Sequence, residues 1–433
     1  MRDGSKSRWL RGGVGATAIG GALCLLITGC QSGASAAAPG TTTSPSAAGM
    51  RLSITPASGA RNAGTGKGIT VTASGGKISG VTVQDSAAQG TGAASNVAPG
   101  ALNAAKTRWH STWALATSAR YTVTAKAVSA SGQDVTETSS FRTLRPAQTF
   151  QTMIFEGYHK SYGVGMPIML TFSQPITNKA AVERSLQLTT SRPVVGAWYW
   201  DGDKTLDFRP RGYWPAHTKV TFTGHLDGVE GAAGVYGTHT LTQSFDIGRS
   251  LIVVASTATH RMRVYRNGKI FSHWPISTGR PGDNTPNGTY LTIDKGNPVL
   301  MKGPGYSLEV PWSVRFTWTG DYLHDAYWSV GEQGFTNVSH GCVNMAPADA
   351  ETYYKMELPG DPVTVTGSPK AGEWDNGWTE WFLSWPKYLK GSALQEAVQA
   401  GPAGSTFVSP STLPAANRKA PLGAPPSNNW AAS

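Results

Sequence analysis

Apolar residues in this chain recur mostly at every second position over short runs, the period of a half-buried strand and not of a helix. Between Met50 and Leu144 the runs Ile69-Thr70-Val71-Thr72, Val81-Thr82-Val83 and Tyr121-Thr122-Val123-Thr124 alternate with Gly- and Ser-rich turns. That pattern predicts an all-β sandwich. It recurs between Phe150 and Ile247, with candidate strands at 167–172, 197–200, 205–208 and 219–222. The tryptophans of this second sandwich, Trp198, Trp200 and Trp214, could hold sugar rings, but tryptophan in a small β-domain more often packs a core. A third unit opens at Ser250 with Leu251-Ile252-Val253-Val254, a hairpin through Asn267-Gly268, and closes near Val363-Thr364-Val365-Thr366. Its one clear helical pattern is 346–356, entered through Pro347 near its first turn.

Beyond Gly367 the pattern changes. Trp374, Trp378, Trp381 and Trp385 are spaced i, i+4, i+7, i+11, one face of a helix, and a second helical run is expected over 389–399. We read this segment as a Trp-rich helical extension clamped onto a neighbouring domain. The fold class is therefore mainly β: two immunoglobulin-like sandwiches at 50–146 and 147–248, a β-rich third domain at 249–367 with one short helix, the extension at 368–400, and a Pro-, Ala- and Ser-rich tail at 401–433.

The N-terminus adds a location. Arg2, Lys6, Arg8 and Arg11 precede an uncharged stretch from Gly12 to Gly29, the layout of a secretory signal. Its end, Ile27-Thr28-Gly29-Cys30, resembles a bacterial lipobox. Residues 1–29 are then a lipoprotein signal, Cys30 is the lipidated first residue of the mature chain, and 30–49 is an uncharged tether that cannot bury enough surface to order itself. An uncleaved anchor helix is the alternative, but at most eighteen uncharged residues, several of them glycine, are marginal for a hydrocarbon core of about 30 Å. The expected location is the outer face of the cell membrane, within the wall. The formal charge of +11 falls to about +8 without the signal, which favours an anionic envelope. Export and the lack of a basic cluster interleaved with aromatics argue against nucleic acid as a partner.

Cysteine usage then narrows the chemistry. Cys24 leaves with the signal and Cys30 carries lipid, so Cys342 has no partner for an intrachain disulfide. A lone exported thiol is either buried and inert or kept for its reactivity. The neighbours are Tyr322-Leu323-His324-Asp325 and Ser339-His340-Gly341-Cys342-Val343-Asn344. A thiol of ordinary pKa about 8.5 becomes a nucleophile when a nearby imidazole or positive field stabilises its thiolate. His340 precedes the cysteine by two residues, and in an extended backbone that separates the side chains by about 7 Å unless Gly341 makes a sharp turn. His324, on a separate strand, is free to meet Cys342 across a sheet, so His324 is assigned the base and His340 a supporting hydrogen bond.

The step of fifteen residues from His324 to Ser-His-Gly-Cys-Val-Asn resembles the signature of the L,D-transpeptidase (YkuD) catalytic domain. The resemblance extends over 250–366, through Ser277-Thr278-Gly279 and Thr285-Pro286-Asn287-Gly288-Thr289-Tyr290. The whole chain resembles actinobacterial members built from a lipobox, two immunoglobulin-like domains, a catalytic domain and a C-terminal subdomain. What the resemblance implies is a peptidoglycan-modifying acyltransferase of cell wall biogenesis and cell shape, monomeric, with no cofactor and no metal, and open to covalent inhibition by carbapenems. Its cysteine attacks the bond between the L-centre of the third stem residue and the terminal D-alanine of a tetrapeptide. An amine of a neighbouring stem then takes the thioester, giving a 3→3 cross-link.

The same resemblance implies a backbone carbonyl from Asp325 steadying His324, where relatives often carry a small residue; carbonyl, carboxylate or neither remain open for this aspartate. The N–H groups of Gly341 and Cys342 are the expected oxyanion donors, and Tyr306 aligns with the flap tyrosine whose hydroxyl nears the oxyanion. Ser339 and Asn344 are expected to hold the turn around Cys342, and Trp328 to line the donor cleft, with a purely structural role the alternative for each. Asp321, Asp325 and Glu332 could meet a substrate amine, but solvated loop charges are the stronger reading.

Rival functions are weaker. A wall-associated cysteine peptidase would place its histidine after the cysteine. A sortase needs a Thr-Leu-x-Thr-Cys motif and a downstream arginine, absent between Cys342 and Gly367. L,D-carboxypeptidase action differs only in water replacing the amine. A non-catalytic wall-binding protein with Cys342 as core would make the polar His-Gly-Cys turn an odd choice.

Overall fold

The computed structural model describes residues 49–85, 99–303 and 305–414. The expected signal, Cys30 and nearly all of the expected tether lie outside the described residues.

The first sandwich sets a four-stranded sheet, with Arg51–Thr55, Thr70–Ser74, Arg108–Ser111 and Gly100–Leu102 in spatial order, against a three-stranded one, Gly76–Asp85, Arg120–Ser129 and Asp134–Arg142. Strict alternation decides which face packs. Along the central strand Tyr121, Val123, Ala125 and Ala127 are buried, and they meet Ile69, Val71, Val83, Trp109 and Phe141 in one core.

In the second sandwich, Ser161–Tyr162, Thr240–Ile247, Lys219–His225 and Leu186–Thr190 form one sheet. The other runs Thr152–Ile154, Ile168–Phe172, Thr205–Pro210, Val194–Asp201, and then two strands from the end of the chain, Ala397–Gly401 and Gly404–Val408. Trp198 and Trp214 are buried in its core, so they pack and do not present a sugar platform.

Those last strands correct the helical reading of the C-terminal segment. Helix is confined there to Trp385–Leu389 and a single 3₁₀ turn at Glu380–Phe382. Within the expected helical run 389–399, Ala397 onward is strand, with Val194–Gly196 paired antiparallel to Val398–Ala400. An open sheet edge offers unpaired backbone groups, and pairing with it outweighs the helical propensity of the Leu-Gln-Glu-Ala run. The four tryptophans do not share a helix either, because Gly377 at φ +128° breaks the run. Two of them, Trp378 and Trp381, are nonetheless buried against the second sandwich. The expected tail is ordered in a hairpin as far as Val408, and Arg211 reaches the carbonyl of Pro414.

The third unit pairs Leu251–Ser256 with Arg261–Arg266 and Pro362–Thr366 in a five-stranded sheet. A four-stranded sheet, Lys295–Gly296, Ser313–Arg315, Tyr322–Asp325 and Val343–Met345, stands against it. The helix Pro347–Met356 begins with its proline in the first turn, where the missing N–H is tolerated, and buries Ala350 and Tyr353. A separate two-stranded hairpin, Val299–Gly303 with Tyr306–Val310, projects Leu300, Tyr306 and Leu308 as exposed side chains. Among the described residues no helix is long and apolar enough to cross a membrane.

Candidate active site

The two motif segments become neighbours in space. Tyr322–Asp325 and Val343–Met345 pair in parallel, with Leu323 opposite Val343, His324 opposite Asn344 and Asp325 opposite Met345. This places His324 beside the strand that Cys342 enters. Both line one cavity of about 320 Å³, together with Tyr306, Trp328, Ser339 and His340.

The cysteine loop is held from several sides. Ser339 Oγ donates to the Cys342 carbonyl at 2.6 Å and accepts from the Gly341 N–H at 3.2 Å. Thr285 Oγ1 donates to the Gly341 carbonyl at 2.5 Å while accepting from the Gly279 N–H at 2.9 Å. The Thr-Gly and Thr-Pro-Asn-Gly segments quoted from the sequence thus brace the loop from behind. Gly341 has φ +127°, and a Cβ there would lie 2.4 Å from Asp321 Oδ1, so glycine is required both for its backbone and for its missing side chain.

His324 Nδ1 donates to the backbone carbonyl of Asp325 at 2.8 Å. The carbonyl, not the carboxylate, makes that contact, and it leaves Nε2 as the ring's proton acceptor. Asp325 is buried, and its Oδ1 has no partner among the described residues; its carboxyl receives the Tyr327 N–H, while burial raises its pKa. The carboxylate therefore holds the turn at Tyr327–Ser329. That turn carries Trp328, whose ring stacks on His324 at 5.9 Å.

Several expectations need correction here. Asp325 is not a solvated charge, and neither is Asp321, which accepts from Thr317 Oγ1 at 2.9 Å and has its pKa raised by burial. Asn344 does not hold the cysteine turn; its Nδ2 donates to Ser329 Oγ at 2.9 Å, because its place opposite His324 directs it toward the neighbouring turn. The Gly341 N–H, expected at the oxyanion, is engaged by Ser339. The backbone N–H groups that bear on the sulfur are those of Tyr322 and Cys342 itself. The Tyr322 donor had no signature in the sequence, since it depends on strand register. His340 is exposed, its ring tilted against that of Tyr306 with the centroids 5.1 Å apart.

The electrostatics also differ from expectation. Burial, reinforced by the charge of Asp321, pushes the Cys342 thiol up to about 12. Burial lowers His324 to about 4 against the opposing effect of its carbonyl contact. Burial thus works against the thiolate at Cys342 and against the imidazolium at His324. Cys342 is half-buried, and its Sγ lies 3.8 Å from the Gly320 carbonyl.

A free thiol, an imidazole with one nitrogen fixed and the other open, and backbone donors at the sulfur form an arrangement suited to acyl transfer through cysteine. Comparison with known proteins narrows the class. Residues 60–230 match the Big_10 family, a bacterial Ig domain, and residues 250–365 match YkuD, the L,D-transpeptidase catalytic domain. The chain is 33% identical over 316 residues to L,D-transpeptidase 5 of Mycobacterium tuberculosis, covering 70% of each chain. It is 30% identical over 331 residues to L,D-transpeptidase 2 of the same species, covering 72% of this chain and 79% of that one. A solved L,D-transpeptidase in complex with imipenem is 34% identical over 51% of this chain and 100% of that chain, with a TM-score of 0.43. The chain belongs to the L,D-transpeptidase family and is an L,D-transpeptidase enzyme.

Proposed function

We propose that this enzyme forms 3→3 peptidoglycan cross-links through a thioester on Cys342. The observation that carries the reading is the bond from His324 Nδ1 to the Asp325 carbonyl, made at the wall of the cavity that Cys342 shares. It orients a neutral base with Nε2 open. As Sγ attacks the carbonyl of the third residue in a tetrapeptide donor stem, its proton passes to Nε2. The tetrahedral oxyanion is met by the N–H groups of Tyr322 and Cys342, and Tyr306 closes the cavity above His340. Collapse expels D-alanine, whose nitrogen takes the proton from His324. An amine of an acceptor stem then attacks the thioester, His324 removes its proton, and the thiol is restored as the amide forms.

The high thiol pKa fits an enzyme that works outside the cytoplasm. A thiol that ionises only as it attacks presents little thiolate to oxidants between turnovers. The lipobox-like Ile27-Thr28-Gly29-Cys30 supports lipidation at Cys30 and a place on the outer face of the membrane. Peptidoglycan stems are the partners, the working unit is a monomer, and carbapenems acylate Cys342 by opening their strained lactam.

Incubation with a disaccharide-tetrapeptide and mass analysis of products tests this. A cross-linked dimer with loss of D-alanine supports it; tripeptide alone makes the enzyme an L,D-carboxypeptidase; undiminished dimer from Cys342→Ala or His324→Ala removes the assignment. Alkylation by iodoacetamide in the absence of substrate gives the pH dependence. With the thiol raised to about 12, the thiolate fraction climbs about tenfold per pH unit through neutral and mildly alkaline pH. A plateau near neutral pH would instead mean a resting ion pair.

A further inference from the structure

The first sandwich carries a basic groove that the proposed chemistry does not use. Arg120 and Arg142 stand directly opposite each other on neighbouring antiparallel strands. Such a pair brings two like charges within about 5.5 Å at Cβ, a destabilising placement. Arg61 joins them at the same groove, of about 690 Å³, whose wall contains no acidic side chain among the described residues. Its position is fixed by backbone bonds on either side, from the Arg142 N–H to the Ala60 carbonyl at 2.7 Å and from the Ala63 N–H to the Arg142 carbonyl at 3.0 Å. All three arginines are exposed. Among the described residues no salt bridge engages Arg61 or Arg142. Arg120 has interactions within the fold, so its contribution is charge at the groove and not an open donor.

The sheet face leading away from the groove continues the pattern. Outward positions on the central strand are Thr122, Thr124 and Lys126, opposite Ser140, Thr138 and Thr136. Cross-strand hydroxyl contacts at 3.1 Å and 3.4 Å link the first two pairs. This face runs about 20 Å over Arg120–Lys126, and Asp134, opposite Val128, marks the far end of the face. No large apolar side chain is exposed on it, so it lacks the anchors with which a protein surface enters a lipid interface.

We propose that this face binds a linear anionic polymer of the cell envelope, built of polyhydroxy units joined by phosphodiesters. A phosphate sits against Arg61 and Arg142, whose planar guanidinium groups suit its oxygens, with Arg120 adding only charge beside them. The hydroxyl rows meet the polyol units, and Lys126 meets a further phosphate along the chain. The first sandwich is then a wall-polymer adaptor.

The test is fluorescence anisotropy of the full chain with labelled poly(glycerol phosphate), at low and high salt. Binding that weakens steeply with salt is expected. It should fall at least about tenfold in R61A/R120A/R142A, with melting temperature and turnover of soluble muropeptides unchanged. Should the triple variant fold poorly, the single loop reversal Arg61→Glu should still weaken binding. Unaltered binding by a folded variant, binding insensitive to salt, or stronger capture by phosphatidylglycerol vesicles than by the polymer would each overturn the proposal. Because muropeptide turnover is read separately, failure here is distinct from failure of the transpeptidase mechanism.

Discussion

The two sandwiches share an architecture but stand in different relations to the rest of the chain. The first closes its core on its own side chains. It meets the second through a narrow seam, in which Thr65 Oγ1 donates to the Gly228 carbonyl at 2.6 Å, the Thr117 N–H reaches Asp227 Oδ1 at 3.3 Å, and Trp113 stacks on His225 at 3.9 Å. The core of the second is continuous with Ile252, Leu291 and Ile293 of the catalytic unit and with Trp378, Trp381 and Val398 of the C-terminal segment. Glu183, fully buried, accepts from Trp200 Nε1, Ser392 Oγ and the Ala393 N–H. Arg209 lies between the rings of Trp381 and Tyr388 at 4.5 Å and 4.3 Å. At the far side of the same unit, Arg249 pairs with both oxygens of Asp361. One sandwich is an attached module, and the other is the base on which the catalytic sheets are mounted.

The sharpest way to break this distinction is Glu183→Ala. It strips several buried donors of their acceptor at once and is expected to cost about 3–5 kcal/mol, read by urea unfolding, with transpeptidation falling as the C-terminal segment detaches. A change below about 1 kcal/mol would mean that the junction of the C-terminal segment with the second sandwich is not structural.

Next is pH. Where the C-terminal segment packs on the second sandwich, burial raises Glu156 to about 8 and Glu380 to about 7, and raises Asp207 as well, around Arg209 and Tyr213. Carboxyls with raised folded pKa values keep protons that the unfolded chain gives up near pH 4.5. Their contribution is therefore fully present below that pH and is lost as pH rises toward about 8. Melting temperature should decline across that window, and Glu156→Gln should flatten the decline. An unchanged slope in that variant would exclude Glu156 as a source.

Smaller effects belong to the first sandwich. Trp113→Ala should cost no more than about 1.5 kcal/mol, detected in the unfolding of the first sandwich while that of the second is unmoved. Removing residues 50–146 should leave carbapenem acylation of Cys342 within about a factor of two, since among the described residues no side chain of that core lines the Cys342 cavity. A tenfold fall would give the first sandwich a direct part in the chemistry.

Much of this was legible in the sequence, for physical reasons that also mark the limit. Period-two burial located the sandwich strands because each strand hides one face, and Pro347 located its helix. That His324 and Cys342 line one cavity was anticipated from the rule that a thiol nucleophile needs a base in reach. The C-terminal strands were not, because local propensity cannot report a vacant edge two hundred residues earlier. The pKa directions were missed as well. They depend on burial in the folded cavity and on Asp321, whose side chain reaches the Cys342 loop only through the space that Gly341 leaves.

The pairing of Val398–Ala400 with Val194–Gly196 has a consequence for the order in which the protein can be made. The chain is synthesised N-terminus first, so the second sandwich presents an open edge after residues 250–366 have already been made. Such an edge invites pairing with other chains until the final strands arrive. Completion of the second sandwich therefore waits on Ala397–Val408, and a chain truncated before them would leave that sheet with an open edge.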